Sequence, residues 1–267
     1  MLIFSACIEM LSPPIEFYER FRIAKESGFN HIEFWGWEGK DLKKVNQICH
    51  DLGLRVTSIS GDADQWSLCD DSHMKEYIKY AERSMEAARI IGCDTIVIHS
   101  NALGDRGVVL DSYPGYTSNR LYMNMLRTLL KLAPVAEKFQ VNCVLEPLNT
   151  MKDHRGNLLK NIDEAAELVR LVGSPRINVL YDFYHMQIDN GDLINTFERN
   201  IDVIKHIHIA DHPGRNEPGT GEINYKNIFK VINNSYEGCV AFELEPATSY
   251  KKAVEAIMQF KMLGLSH

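Results

Sequence analysis

Four residues far apart in the chain, Glu146, Asp182, His208 and Glu243, each close or nearly close a short apolar run: NCVLEP, INVLYD, HIHIA and CVAFELEP. Three carboxylates and one imidazole suit a hard or borderline divalent cation (Mg²⁺, Mn²⁺, Co²⁺ or Zn²⁺) better than a thiol-seeking one. One acidic residue at the end of an apolar run is readily satisfied by a neighbour. Four compatible ligands are another matter, because burying several unpaired carboxylates together costs roughly several kcal/mol each unless a cation neutralises them. The same kind of position is taken by Glu33 in HIEFWG, His99 in TIVIHS and Glu245, two residues beyond Glu243. Glu243 and Glu245 alternate with Leu244 and face the same way, so spacing alone leaves open which of them is the ligand.

The stretch from Lys205 to Tyr225, KHIHIADHPGRNEPGTGEINY, adds a shaped loop to this set. Its first six residues alternate, placing His206, His208 and Ala210 on one face of a strand and Ile207 and Ile209 on the other. The Pro- and Gly-rich residues that follow carry Arg215, Glu217 and Glu222 and read as a non-helical loop at the strand's carboxyl end. Imidazoles beside a rigid polar loop make a metal or substrate site, or else a core histidine with an ordinary turn.

These residues need elements to hold them, and the hydrophobic pattern supplies eight strand-then-helix units. Strands are expected at 2–8, 31–36, 54–60, 95–100, 141–147, 177–182, 203–210 and 239–246. Helices are expected at 14–27, from about 40 to 52, 72–91, about 118 to 139, 161–172, 192–200, 225–233 and 249–263, several stopped by a glycine such as Gly53 or Gly173. With no linker or low-complexity tract, residues 1–267 read as one α/β domain, a (β/α)₈ TIM barrel, although strand-helix alternation alone also allows an open doubly wound sheet. In such barrels the active site is assembled at the carboxyl ends of the strands, where the residues above stand. No GxGxxG follows the first strand, so dinucleotide binding lacks its usual support.

Composition narrows the partners. A formal net charge of -7 and a pI near 5.8 give no overall basic field for nucleic acid or an anionic membrane. The six cysteines include no CxxC pair and most lie in apolar runs, which points to buried free thiols and a reducing compartment. No run approaches the roughly 18 apolar residues of a membrane span. The expectation is a cytoplasmic protein acting on a small molecule.

Several of these stretches are familiar together. LEP with Glu146, YDFYHMQ, HIHIADHPGRNEPGTGEINY and FELEP with Glu243 resemble the hydroxypyruvate isomerase family, within the xylose isomerase-like superfamily of sugar isomerases and epimerases. The resemblance is densest after Val141. It implies a TIM barrel, a bound divalent metal and two glutamates that shuttle a proton between adjacent carbons of an α-hydroxycarbonyl substrate. By this resemblance Glu146 and Glu243 are the paired acid and base, and with Asp182 and His208 they hold the metal. His185 and Arg215 match substrate-contacting positions, Arg215 being suited to a substrate carboxylate; His99 is a further substrate-side candidate. Homo-oligomers are common among relatives. The segment His99 to Tyr116 departs from the family pattern, and that loop bears on substrate identity.

Alternatives on the same scaffold are a ketose 3-epimerase or a 2-oxo-sugar-acid isomerase. A metal-dependent endonuclease would need further His and Asp ligands and a basic groove, neither evident in the sequence. Trp35, Trp37 and Trp66, with Phe34 and Tyr113, either wall a small substrate or, more simply, fill the core. His31, His50, His73, His154, His212 and His267 have no strand-end context that marks them as catalytic.

Overall fold

The computed structural model describes residues 2–263; His267 lies outside the described residues. Its strands are β1 (Ile3–Cys7), β2 (His31–Glu33), β3 (Arg55–Val56), β4 (Ile59–Ser60), β5 (Thr95–Ile98), β6 (Asn142–Leu145), β7 (Ile177–Asp182), β8 (Ile204–Ile209) and β9 (Cys239–Phe242). They pair only in parallel, in the order β3-β2-β1-β9-β8-β7-β6-β5-β4. The third expected strand arrives as two pieces. β3 pairs with β2 and β4 with β5, so the two ends of the sheet are consecutive parts of one segment and the sheet returns on itself as a TIM barrel. Across the hand-over, Thr57 N–H still donates to Ile32 O (2.8 Å) and Gly61 N–H to Val97 O (2.7 Å). Gly61 is needed there, since a Cβ would lie 2.8 Å from Ile96 Cδ1 and 2.9 Å from Ile98 Cγ2.

The helices α1 (Phe17–Glu26), α2 (Leu42–Leu52), α3 (Met74–Ile90), α4 (Ser118–Phe139), α5 (Ile162–Val172), α6 (Phe183–Asp189), α7 (Leu193–Arg199), α8 (Tyr225–Ser235) and α9 (Tyr250–Leu263) connect the strands. Their apolar faces bury Phe21, Met85, Leu129 and Phe229 among others in one continuous core. Among the described residues, eight of these nine match expected helices. The exception is α6, a short helix directly after β7, which begins because the Asp182 side chain accepts the Tyr184 N–H (2.7 Å) and the His185 N–H (3.3 Å) as an N-cap. Local pattern did not reveal it, because its first four residues, Phe183, Tyr184, His185 and Met186, are all buried and continue the apolar run of β7 with no polar face to mark a helical period.

Inside the barrel, strand alternation sorts residues into layers. Val97, Val144 and Leu180 form a small apolar cluster of their own. Two residues further along the same strands stand His99, Glu146 and Asp182. The register between β7 and β8 slips between Val179 and Leu180, leaving Lys205 exposed and unpaired and setting His206 beside Leu180 and His208 beside Asp182. His208 also stands beside Ala241 on β9, two residues before Glu243. The polar layer is therefore built directly on top of an apolar plug. All six cysteines are free and buried, as composition suggested. Among the described residues no helix is long and apolar enough to cross a membrane.

Candidate active site and metal centre

A cavity of about 1090 Å³ opens at the carboxyl ends of the strands. Glu146, His208 and Glu243 line it, and one ligand atom from each of these and from Asp182 lies within 4.8 Å of the other three; all four residues are buried. His208 Nδ1 is 3.4 Å from Glu146 Oε1 and 3.5 Å from Glu243 Oε2. Glu146 Oε1, Asp182 Oδ2 and His208 Nδ1 are buried without a hydrogen-bond partner. Orphaned atoms of this kind are costly, and a shared cation satisfies all three at once. The donor set, oxygen-rich with one imidazole, fits Mg²⁺, Mn²⁺, Co²⁺ or Zn²⁺.

Each of the four is anchored from behind. Glu146 Oε2 lies 3.1 Å from His99 Nε2, and the His99 backbone N–H donates to Asp62 Oδ2 (2.6 Å) while its ring Nδ1 is 3.4 Å from Asp62 Oδ1. Burial alone would depress His99; Asp62 and Glu146 outweigh it and push the imidazole up to about 10. Burial likewise opposes ionisation of Glu146, yet His208 and His99 hold its carboxyl well below the usual range. Glu243 accepts from Trp35 Nε1 at Oε1 (2.8 Å) and from the Arg215 guanidinium at Oε2. His208 and Arg215 overcome its burial and keep it ionised. Asp182 differs: burial, opposed by Arg215 but reinforced by Glu146 and Glu243, pushes it up to about 7.

His206 and His208 share a face, but only His208 joins the four. His206 Nε2 donates to Glu33 Oε2 (2.9 Å), Ser58 Oγ donates to the same oxygen (2.8 Å), and His208 Nε2 lies 3.2 Å from Glu33 Oε1. Glu33 thus stands behind His208, on the side away from the other three ligands. Glu243 and Glu245 are separated by the structure: Glu243 is buried in the cluster, whereas Glu245 is exposed at the cavity rim.

The loop after β8 is shaped by Asp211. Its carboxylate accepts the backbone N–H groups of Gly219 (2.8 Å), Gly221 (2.9 Å) and Ile223 (3.1 Å). Gly221 allows no side chain, because a Cβ would lie 1.9 Å from the His212 carbonyl oxygen. This loop delivers Arg215 to the cavity, where it pairs with Glu243 and lies 3.9 Å from Asp182 Oδ2. His185, on α6, is buried in the cavity wall. Of the aromatic residues singled out in the sequence, Phe34 and Trp35 line the cavity; Trp37 and Trp66 pack on Tyr80 instead.

Sequence reasoning passed over Asp62, Ser58, Asn149, Asp153 and His154. All but Asn149 line the cavity, and Asn149 lies behind His185. They sit in loops or mid-segment rather than closing apolar runs; the one usable signal was their place just past strand ends, on the face where barrel sites form.

Comparison with known proteins places this geometry. A family model described as "Xylose isomerase-like TIM barrel" matches residues 21–260. The hydroxypyruvate isomerase of Escherichia coli (strain K12) is 32% identical over 256 residues, covering 93% of this chain and 95% of that protein. A 2-oxo-tetronate isomerase of Cupriavidus necator is 27% identical, covering 91% of this chain and 92% of its own length. The crystal structure of a Brucella melitensis protein titled AP endonuclease, family 2, superposes with a TM-score of 0.87 over 97% of this chain and 99% of that one; at 24% identity it shows the shared fold alone. The chain belongs to the xylose isomerase-like TIM barrel family and is an enzyme of the isomerase class.

Proposed function

We propose that this chain is a divalent-metal-dependent isomerase of a small α-hydroxycarbonyl compound, for which hydroxypyruvate with tartronate semialdehyde is the first of two substrate readings. The observation that carries this reading is the buried quartet Glu146, Asp182, His208 and Glu243 at the barrel mouth, in which Glu146 Oε1, Asp182 Oδ2 and His208 Nδ1 have no hydrogen-bond partner. These four residues would hold the metal. When bound, it supplies Lewis-acid stabilisation of the negative charge that builds on substrate oxygens as the carbon-bound proton leaves.

The chain's own residues do the rest. Glu146, just past β6, and Glu243, just past β9, are separated by two strands, so their carboxylates reach the mouth from different sides of the barrel. Both are held ionised, one by His208 and His99 and the other by His208 and Arg215, so either can take a proton from the substrate carbon. Once protonated, a glutamate loses its attraction to those cations, which favours handing the proton to the neighbouring carbon. His185 and Arg215 position the substrate, with His99 orienting Glu146 from the other side. We read residues 1–267 as one barrel unit working in the cytoplasm.

A larger 2-oxo sugar acid or a ketose is the second reading, favoured by one observation: a three-carbon acid occupies little of a cavity of about 1090 Å³. The test is incubation of the purified protein, with a panel of divalent ions, against hydroxypyruvate, four-carbon 2-oxo acids and ketoses in D₂O. Metal-dependent isomer formation with deuterium uptake is expected. Turnover that survives complete chelation, or no isomer from any of these compounds, overturns the proposal.

A further inference from the structure

His154 had no role in the sequence reading, yet it is buried at 6% exposure in the cavity wall with its Nε2 unpartnered. Its Nδ1 donates to the Gly107 carbonyl oxygen (2.8 Å), and because a carbonyl only accepts, the proton sits on Nδ1. Burial, the largest influence, holds the ring below its usual range, so Nε2 presents a lone pair. The loop is shaped around this ring. Gly107 sits at φ 72°, and a Cβ there would lie 2.4 Å from His154 Cε1.

The neighbouring His185 has the opposite polarity. Asn149 Nδ2 donates to His185 Nδ1 (2.7 Å), and the amide's orientation is set because Asn149 Oδ1 accepts the backbone N–H groups of Lys152 (3.1 Å) and Asp153 (3.2 Å). With Nδ1 accepting, the His185 proton is on Nε2, which is also buried and without a partner. The two rings meet edge to face with centroids 5.1 Å apart. His185 Nε2 lies 3.5 Å from Asp182 Oδ2, which sets the pair immediately beside the metal-ligand cluster.

One buried donor and one buried acceptor, side by side and both unsatisfied, match a group that both accepts and donates. We propose that His154 and His185 form a subsite for a substrate hydroxyl on the carbon beyond the two that react, so that the enzyme selects hydroxylated oxo acids or ketoses of four or more carbons over hydroxypyruvate. A carboxylate does not fit, because it offers only acceptors and would face the His154 lone pair. A hydroxyl satisfies both rings, and a site left with unpaired buried polar atoms rejects the analogue that lacks it. The inference rests on the isomerase reading of the cluster and names the substrate end that the reading leaves open.

The test is a binding cycle on the metal-loaded protein, with 2,3,4-trihydroxybutanoate and its 4-deoxy analogue titrated by calorimetry against wild type, His154→Leu and His154→Gln. In wild type, loss of the 4-hydroxyl weakens binding at least tenfold; in His154→Leu the two acids differ less than threefold; His154→Gln, which keeps an acceptor oxygen, restores part of the difference. An equal penalty in wild type and His154→Leu, or no binding of either acid to wild type, overturns the subsite. In parallel, the ratio of kcat/KM for a four-carbon 2-oxo acid to that for hydroxypyruvate falls at least tenfold in His154→Leu. A His154-dependent binding difference with no turnover of any substrate sinks the isomerase reading and leaves the subsite standing; turnover with an unchanged ratio sinks the subsite alone.

Discussion

Replacing Glu33 with Gln tests how the metal centre is held from behind. The Glu33 carboxylate is 3% exposed and accepts from Ser58 Oγ (2.8 Å) and His206 Nε2 (2.9 Å), with His208 Nε2 at 3.2 Å. An amide of the same shape keeps one acceptor oxygen but turns an NH₂ toward the remaining imidazole, and it removes the negative charge that both rings face. Loss of a buried charged partner from two groups puts the cost at about 3 kcal/mol. At about 2 °C per kcal/mol for a chain of this size, the metal-free variant should melt roughly 6 °C below wild type. A second effect is separable from the first. Glu33 Oε1, 3.2 Å from His208 Nε2, favours a proton on that nitrogen and leaves Nδ1 toward Glu146 and Glu243, so loss of the carboxylate should weaken divalent-metal binding by about 10–100-fold. Differential scanning fluorimetry with and without Mn²⁺, together with a calorimetric metal titration, reads both. A melting point within about 1 °C of wild type and a metal affinity within about twofold would refute the reasoning, since they would mean that the two imidazoles do not depend on this carboxylate.

Glu146→Ala and Glu243→Ala should each lower kcat by at least about 10²–10⁴-fold while far-ultraviolet circular dichroism stays native; near-native rates in either would remove the paired-glutamate assignment. Metal affinity should rise with pH between about 6 and 8, because a cation must displace the proton of Asp182, pushed up to about 7, and that of His208, also raised by Glu33, Glu243 and Glu146 against its burial. In the metal-free protein the Asp182 contribution to stability is fully present below about pH 4 and is lost as pH rises through about 7, so the melting-point gain from metal should grow over that window. Titrations in two buffers of different ionisation enthalpy measure the protons released, and identical apparent heats would contradict this. Gly221→Ala should detach the loop that carries Arg215, since its Cβ would sit 1.9 Å from the His212 carbonyl oxygen; a loss of about 1–3 kcal/mol in stability with a raised KM is expected, and unchanged kinetics would show that the loop relaxes freely.

Much of this protein was written in local pattern. Apolar runs of period 2 alternating with helical faces announced the barrel, and Glu146, Asp182, His208 and Glu243 stood out because each ends such a run, two residues beyond an inward-facing position of its strand. The free, buried thiols were legible for the same reason, as cysteines inside apolar segments. What alternation cannot carry is anything that depends on which strands become neighbours or on how a loop folds back. The slip at Lys205 that sets His208 beside Asp182, the division of the third strand between β2 and β5, and the burial of Glu243 but not Glu245 were decided only by closure of the sheet. The α6 helix, the Arg215 contact with Glu243 and the His154 ring against Gly107 depend on hydrogen bonds between segments dozens of residues apart or on a single capping side chain, and no periodicity reports those.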